Sequence, residues 1–223
     1  MSIQIGRFDY SRGEYVTDWK NIEATMGGPG PAVELRRGPF QATRDRKLAQ
    51  TWWGQAWIER CEAKTDRKTI NKGRRIGRNG SILAVRLAPG NLCGVVCENP
   101  YYAYYADLIG INTPILSHER WQIVNNIMTS NSRYIAGLLA GHLSQELYER
   151  LAEHDIDLIP DPSFYSHDTH RYYSYVMSHG LALAYVISAF LDNDPLMMFR
   201  LLGGNPDLLL ARWIGDESPS NKP

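Results

Sequence analysis

Cysteine is scarce in this chain: Cys61, Cys93 and Cys97 are the three among 223 residues. An odd set without framework spacing excludes a disulfide-stapled secreted scaffold. Cys93 and Cys97 lie four apart in the apolar run 92–97, so on a strand they share one face, as buried reduced thiols. Long apolar runs are missing too. None approaches the roughly 18 residues of a membrane span, and the start, Met1-Ser2-Ile3-Gln4-Ile5-Gly6-Arg7, lacks a signal-peptide core. These absences predict a cytoplasmic protein without membrane contact. The motifs of common enzymes are also lacking. There is no Gly-x-x-x-x-Gly-Lys-Ser/Thr phosphate loop and no Gly-x-Ser-x-Gly elbow. The glycines from Gly73 to Gly80 follow no strand, as a dinucleotide fingerprint requires, and arginines fill the gaps between them. Carboxylates are scattered, and His154-Asp155 with Asp157 reads as a solvated helix end. No catalytic residue is assigned, and the expectation is a protein that is not an enzyme.

What is present is ordinary in amount and unusual in arrangement. A 223-residue chain with 43% hydrophobic and 22% charged residues is a globular protein of one large domain or two small ones. Lys+Arg and Asp+Glu balance at 24 each, for a net charge of zero. Yet residues 1–80 carry 16 Lys+Arg against 9 Asp+Glu, and residues 81–223 carry 8 against 15. Between Arg36 and Arg78 there are 13 basic and 4 acidic residues. A basic half suits a polyanion such as nucleic acid, or else the protein's own acidic half or an acidic partner protein.

Two segments concentrate the chemistry. In Thr51-Trp52-Trp53-Gly54-Gln55-Ala56-Trp57, three of the six tryptophans fall within six residues. On a helix Trp53 and Trp57 share a face, as core anchors, while Trp52 points elsewhere and is a candidate for stacking on a base or a partner. The second segment is Lys72-Gly73-Arg74-Arg75-Ile76-Gly77-Arg78-Asn79-Gly80-Ser81-Ile82. Read as a loop, its glycines let the backbone approach a surface, and its arginines supply forked donors for phosphate. The equal alternative is a solvated, charged hairpin edge. Lys68, Lys72, Arg74, Arg75, Arg78 and Trp52 are the candidate nucleic-acid-binding residues.

Pattern and turn signals predict a strand over 3–8, a breaker at 26–31, and a helix over 47–63 carrying the tryptophans. A polar turn over 66–73 is followed by strands over 81–87 and 92–98, which form a hairpin around Pro89-Gly90-Asn91. A third strand is expected over 101–109. Helices follow: one from a Ser117 cap to about 129, one over 132–140, and one capped by Ser144. After a short extended stretch over 156–160 come an apolar helix over 178–191 with Ser178 as cap, and helices opened by Pro195 and Pro206. The tail 216–223 reads as disordered.

The blocks Thr51-Trp52-Trp53-Gly54-x-Ala56-Trp57, Lys72-Gly73-Arg74-Arg75-x-Gly77-Arg78-x-Gly80-Ser81-Ile82, Pro89-Gly90 and Asp194-Pro195-Leu196-x-x-Phe199-x-Leu201-x-Gly203 resemble those of bacterial SWIM zinc-finger proteins. The resemblance covers residues 40–213. Such proteins are often encoded beside Swi/Snf-type helicase-like ATPases. The resemblance implies binding of nucleic acid or protein, not catalysis. In that family Cys-x-Cys and a later Cys-x-His hold zinc in a ββα unit. Aligning His179 with the final histidine puts Met177 on the third ligand and Asp168 and His170 on the first two, so every cysteine position is lost. Asp168, His170 and His179, with His167 as a fourth, would make a weak site. The expectation is therefore a degenerate unit with no zinc and no other cofactor, in which Tyr165, Tyr172, Tyr173, Tyr175 and Met177 fill the metal's place.

Together these features predict an α+β protein. Its basic β-rich region spans 1–110 and includes a hairpin and the tryptophan helix. Its acidic helical region spans 111–215 and holds the degenerate SWIM-like ββα unit at 163–191. The expected role is a non-catalytic accessory subunit. It binds DNA or RNA through the first region and a protein partner, a helicase-like ATPase or a larger nucleic-acid-processing complex, through the second. The alternative is a protein-interaction scaffold that touches no nucleic acid.

Overall fold

In the computed structural model, which describes residues 2–9, 14–27, 33–98, 105–168 and 172–214, the sheet is organised around the Pro89-Gly90 turn. Gly90 has a φ of 68°, a left-handed conformation that a β-carbon opposes. It joins β5 (Ile82–Ala88) to β6 (Asn91–Val96) in the expected antiparallel hairpin. On one side β4 (Glu34–Phe40) pairs with β5, and on the other β7 (Tyr105–Asn112) pairs with β6. The outer edge of β7 is shared lengthwise. β1 (Ser2–Gln4) pairs with residues 105–107 and β8 (Ser163–Ser166) with residues 109–112. β2 (Gly6–Asp9) and β3 (Glu14–Thr17) make a separate two-stranded ribbon, so the strand expected over 3–8 is two. The third strand lies later than expected, and 101–104 fall outside the described residues.

Alternation along β6 builds two cores from one strand. Leu92 and Val96 face the main core, while Cys93, Val95 and Cys97 face a smaller one closed by Ile22 and Met26, at and just after α1 (Trp19–Thr25). Cys93 and Cys97 thus share a face as buried cysteines outside any disulfide. Desolvation pushes the Cys93 thiol up to about 12.

The main core is centred on α7 (Tyr173–Asn193), which packs on the sheet and on two helices from the first half, α2 (Trp52–Glu62) and α3 (Arg67–Arg78). α7 starts five residues before the expected 178–191 helix. Ser178, expected as its cap, lies inside it and donates to the Tyr175 carbonyl at 2.9 Å. By length and composition α7 is apolar enough to cross a membrane, but 72% of its most apolar window is buried inside the fold.

α3 corrects the expectation of a polar turn over 66–73 and a glycine-arginine loop beyond it. Asp66 caps the helix, accepting from the Thr69 amide at 2.9 Å, and Lys and Arg are good helix formers. Gly73 and Gly77 lie against α7. A β-carbon on Gly73 would stand 2.8 Å from Leu181 Cβ and 3.0 Å from the Ser178 carbonyl oxygen, and one on Gly77 would stand 3.3 Å from the Ala182 carbonyl oxygen. The glycines serve close helix packing, not approach to a ligand.

The tryptophan helix is real but begins at 52, with Thr51 as cap accepting from the Gly54 amide at 3.1 Å. Each indole N–H donates to a distant carbonyl: Trp53 to Leu191 at 2.7 Å, Trp57 to Ala184 at 3.1 Å, and Trp52 to Leu143 at 3.2 Å. Asp192, near the end of α7, accepts from the Gln50 and Thr51 amides at 2.7 and 2.9 Å. α2 is therefore tied to α7 along its length.

The remaining helices follow the caps. Ser117 opens α4 (His118–Ser130), Asn131 ends it and opens α5 (Ser132–Leu139), and Ser144 opens α6 (Gln145–Ala152). α8 (Leu196–Leu201) and α9 (Pro206–Ile214) follow the two prolines. The stretch 156–160 forms no strand. The protein is α+β, but its core does not divide at residue 110. β8 joins a sheet made mostly of first-half strands, and one buried cluster runs from Ala42 to Trp213. The expected ββα unit at 163–191 is, among the described residues, one strand and one helix, because β8 pairs with β7 rather than with a partner of its own. The tail 216–223 lies outside the described residues.

Two predictions follow from this packing. Trp53→Ala or Trp57→Ala should cost about 3–5 kcal/mol of stability in a denaturant titration, and Trp52→Ala less. Gly73→Ala gains about 1 kcal/mol of helix propensity, but crowding against the backbone of α7 should outweigh it and lower stability by about 1–3 kcal/mol net. A Gly73→Ala protein as stable as wild type would show that the two helices separate freely.

Candidate nucleic-acid interface

The helical period sorts the basic residues of α3. Thr69, Gly73, Ile76 and Gly77 are buried; Arg67, Lys68, Asn71, Arg75 and Asn79 are exposed or flank the exposed face; Lys72, Arg74 and Arg78 are half-buried at its margins. The marginal three are used within the fold. Arg74 grips Glu62, with Nη2 2.7 and 3.0 Å from the two carboxylate oxygens, and the buried Tyr185 hydroxyl donates to the same carboxylate at 2.8 Å. Desolvation alone would lower the Arg74 pKa, but the Glu62 hydrogen bond raises it on balance, so the guanidinium stays charged. Burial, and then Glu62, push the Tyr185 phenol up. Arg78 donates to the Thr43 carbonyl at 3.2 Å and the Asp45 carbonyl at 3.0 Å. Lys72 pairs with Glu98 at 2.8 Å and lies 5.1 Å above the Tyr175 ring. Burial disfavours the Glu98 carboxylate, yet the Lys72 hydrogen bond and nearby cations hold it below its usual range.

Arg67, Lys68 and Arg75 make no side-chain ion pair or hydrogen bond among the described residues, and all three are exposed. Arg44, Arg46 and Lys47 share this condition on the segment that Arg78 pins against the end of α3. Beside them a cleft of about 390 Å³ is lined by Arg46, Lys47, Leu48, Gln55, Ile58 and Arg74. The structure thus separates the candidates. Lys68 and Arg75 face solvent; Lys72, Arg74 and Arg78 hold the scaffold. Trp52 is half-buried, edge-on to Trp53 and Tyr148 with ring centroids 5.8 and 5.2 Å away, so its ring serves packing rather than offering a stacking face.

Arg44, Arg46, Lys47 and Arg67 lie in the stretch of basic excess but carry no local motif. Assigning 67–78 as a helix would have shown Arg67 flanking its exposed face. The commitment of Arg74 and Lys72 was hidden because Glu62 and Glu98 are 12 and 26 positions away in the chain.

Of the positions that the SWIM resemblance assigns to metal ligands, those described make other contacts. His179 is fully buried, and its Nδ1 lies 2.8 Å from the Tyr175 carbonyl oxygen, which can only accept, so Nδ1 bears the proton. Its ring stacks on Tyr175 at 3.9 Å. Nε2 is 3.3 Å from a Glu98 oxygen without hydrogen-bond geometry. Desolvation by burial lowers the ring's pKa. Met177 is buried beside it, the Asp168 amide donates to Ser166 Oγ at 3.1 Å, and His167 stands 5.4 Å from the Tyr165 ring. His170 lies outside the described residues. Among the described residues no three His, Cys, Asp or Glu side chains come together as a metal set.

Over 166 residues, 74% of its length, the chain is 25% identical to the uncharacterized protein Rv2102 of Mycobacterium tuberculosis, and it spans 59% of that protein's length. No family model and no solved structure matches the chain.

Because Tyr175, Glu98 and Lys72 occupy the surroundings of His179, the purified protein should hold no stoichiometric zinc. Treatment with a chelator should leave its Tm unchanged. About one zinc per chain by elemental analysis, lost on His179→Ala, would restore a metal site.

Proposed function

We propose that this chain is a non-catalytic, cytoplasmic accessory subunit that binds nucleic acid through the outward face of α3 and the 44–47 segment. One observation carries the reading. Six cations, Arg44, Arg46, Lys47, Arg67, Lys68 and Arg75, stand exposed and uncommitted along one helix and the segment docked at its end. Neighbouring acidic side chains carry contacts of their own: Glu62 with Arg74, Glu98 with Lys72, Asp66 with the cap of α3, and Asp45 with the Thr43 hydroxyl. A positive field left unbalanced in this way favours phosphate and needs no sequence readout.

The surface for a protein partner is α5 and α9. Leu208 and Ile214 of α9 and Leu139 of α5, which packs on α9, are 69%, 60% and 56% exposed. The resemblance to SWIM proteins supports a helicase-like ATPase, or the complex around one, as the protein that covers them. These same side chains favour the second reading, an interaction scaffold with no nucleic-acid contact.

Salt dependence separates the two readings. Wild-type protein should bind an oligonucleotide with affinity that falls steeply with salt, and Lys68→Ala/Arg75→Ala should flatten the slope by about one unit per lost contact at unchanged Tm. Arg74→Ala and Arg78→Ala should instead lower Tm, since each removes an internal anchor. Absence of oligonucleotide binding at low salt would leave the scaffold reading.

A further inference from the structure

Two tyrosines stand open at the head of the basic helix. Tyr172 is 84% exposed and Tyr173 68%, and every other aromatic residue with a described side chain is buried or half-buried. Their position follows from how α7 lies on α3. Lys72 sits over Tyr175, Gly73 meets Ser178 and Leu181, and Gly77 meets Ala182, so the helices run in the same direction and their first turns are neighbours. The Tyr173 hydroxyl is 3.4 Å from the Lys64 carbonyl oxygen, two residues before the Asp66 cap of α3. The tyrosines therefore flank the Arg67–Lys68 end of the basic track. From there the 12 residues of α3, at about 1.5 Å each, carry the track past Arg75 to Arg44, Arg46 and Lys47. Tyr172 makes no side-chain cap at the start of α7, and the positive end of that helix's dipole adds to the field beside the two rings.

Resting on the nucleic-acid reading above, we infer that the ligand is single-stranded, with its phosphates on Arg67, Lys68 and Arg75 and its unstacked bases on Tyr172 and Tyr173. A duplex would meet the cations equally well but would keep its bases inside, leaving two costly exposed rings without a function. A single strand turns its base faces outward, and an aromatic ring beside a phosphate track is the surface on which they stack without regard to sequence. The charge selects a polyanion, and the rings select the form with open bases.

The test uses the full chain and three probes: a 20-mer of deoxythymidine, a duplex of the same length, and an abasic sugar-phosphate oligomer of equal charge. Wild type should bind the single strand about tenfold or more tighter than either other probe. Tyr172→Ala/Tyr173→Ala should remove that preference, with a loss of about tenfold or more on the single strand. Its salt slope, its Tm and its binding to the abasic oligomer should not change, and Tyr172→Phe/Tyr173→Phe should retain wild-type affinity. Equal binding of duplex and single strand, or an unaffected Tyr172→Ala/Tyr173→Ala protein, would overturn the single-strand inference while the nucleic-acid reading stood. Binding of polyglutamate as tight as that of the oligonucleotides would overturn it in favour of an acidic protein segment. Failure to bind any of the probes would remove the single-strand inference together with the nucleic-acid reading.

Discussion

The close approach of α3 to α7 is the constraint on which the rest of the structure depends. Gly73 and Gly77 present no side chain to α7, so its backbone carbonyl oxygens at Ser178 and Ala182 come within 3.0 and 3.3 Å of where β-carbons would stand. At that distance the buried α7 can be covered by a helix whose other face carries Arg67, Lys68 and Arg75. Ordinary side chains at these positions would hold the helices at the usual separation of about 8–10 Å and misalign the contacts at the margins of α3. Those contacts depend on reach: Arg74 to Glu62, Lys72 to Glu98, and Arg78 to the carbonyls of Thr43 and Asp45.

α2 reinforces the same centre by a different device. Its tryptophans join apolar area to a directional hydrogen bond, so Trp53 and Trp57 fix both the position and the rotation of α2 on α7. Asp192 returns the tie from the end of α7 to the amides at 50 and 51. α7 thereby meets the sheet on one side and two first-half helices on another. This explains how its 21 residues are apolar enough for a membrane and are nevertheless the inside of this fold.

The same arrangement decides which charges are available. A basic residue at the margin of α3 meets a carboxylate or a carbonyl and becomes structural; one on its outward face meets solvent. A single helix thus contributes both anchors and solvent-facing cations, and two exposed tyrosines stand beside it at the head of α7. His179 belongs to the same packing: its Nδ1 faces the Tyr175 carbonyl and its ring lies on the Tyr175 ring, inside the fold.

Features decided within a few residues of chain were legible from the sequence. The Gly90 turn needs positive φ whatever surrounds it, Ser117 and Ser144 cap helices through their own first turns, and the spacing of Cys93 and Cys97 sets them on one face of any strand. The helix-sharing face of Trp53 and Trp57 was likewise local. The tertiary structure alone decided the rest, because those outcomes depend on groups distant in the chain. Gly73 and Gly77 look alike as loop residues and as helix-packing residues until α7 is beside them. Arg74 and Arg75 are adjacent and chemically identical, and only the position of Glu62 makes one an anchor and leaves the other free. The edge of β7 could accept a strand from either half of the chain, and it accepted both, and the main core spans a sequence whose charge suggested two regions.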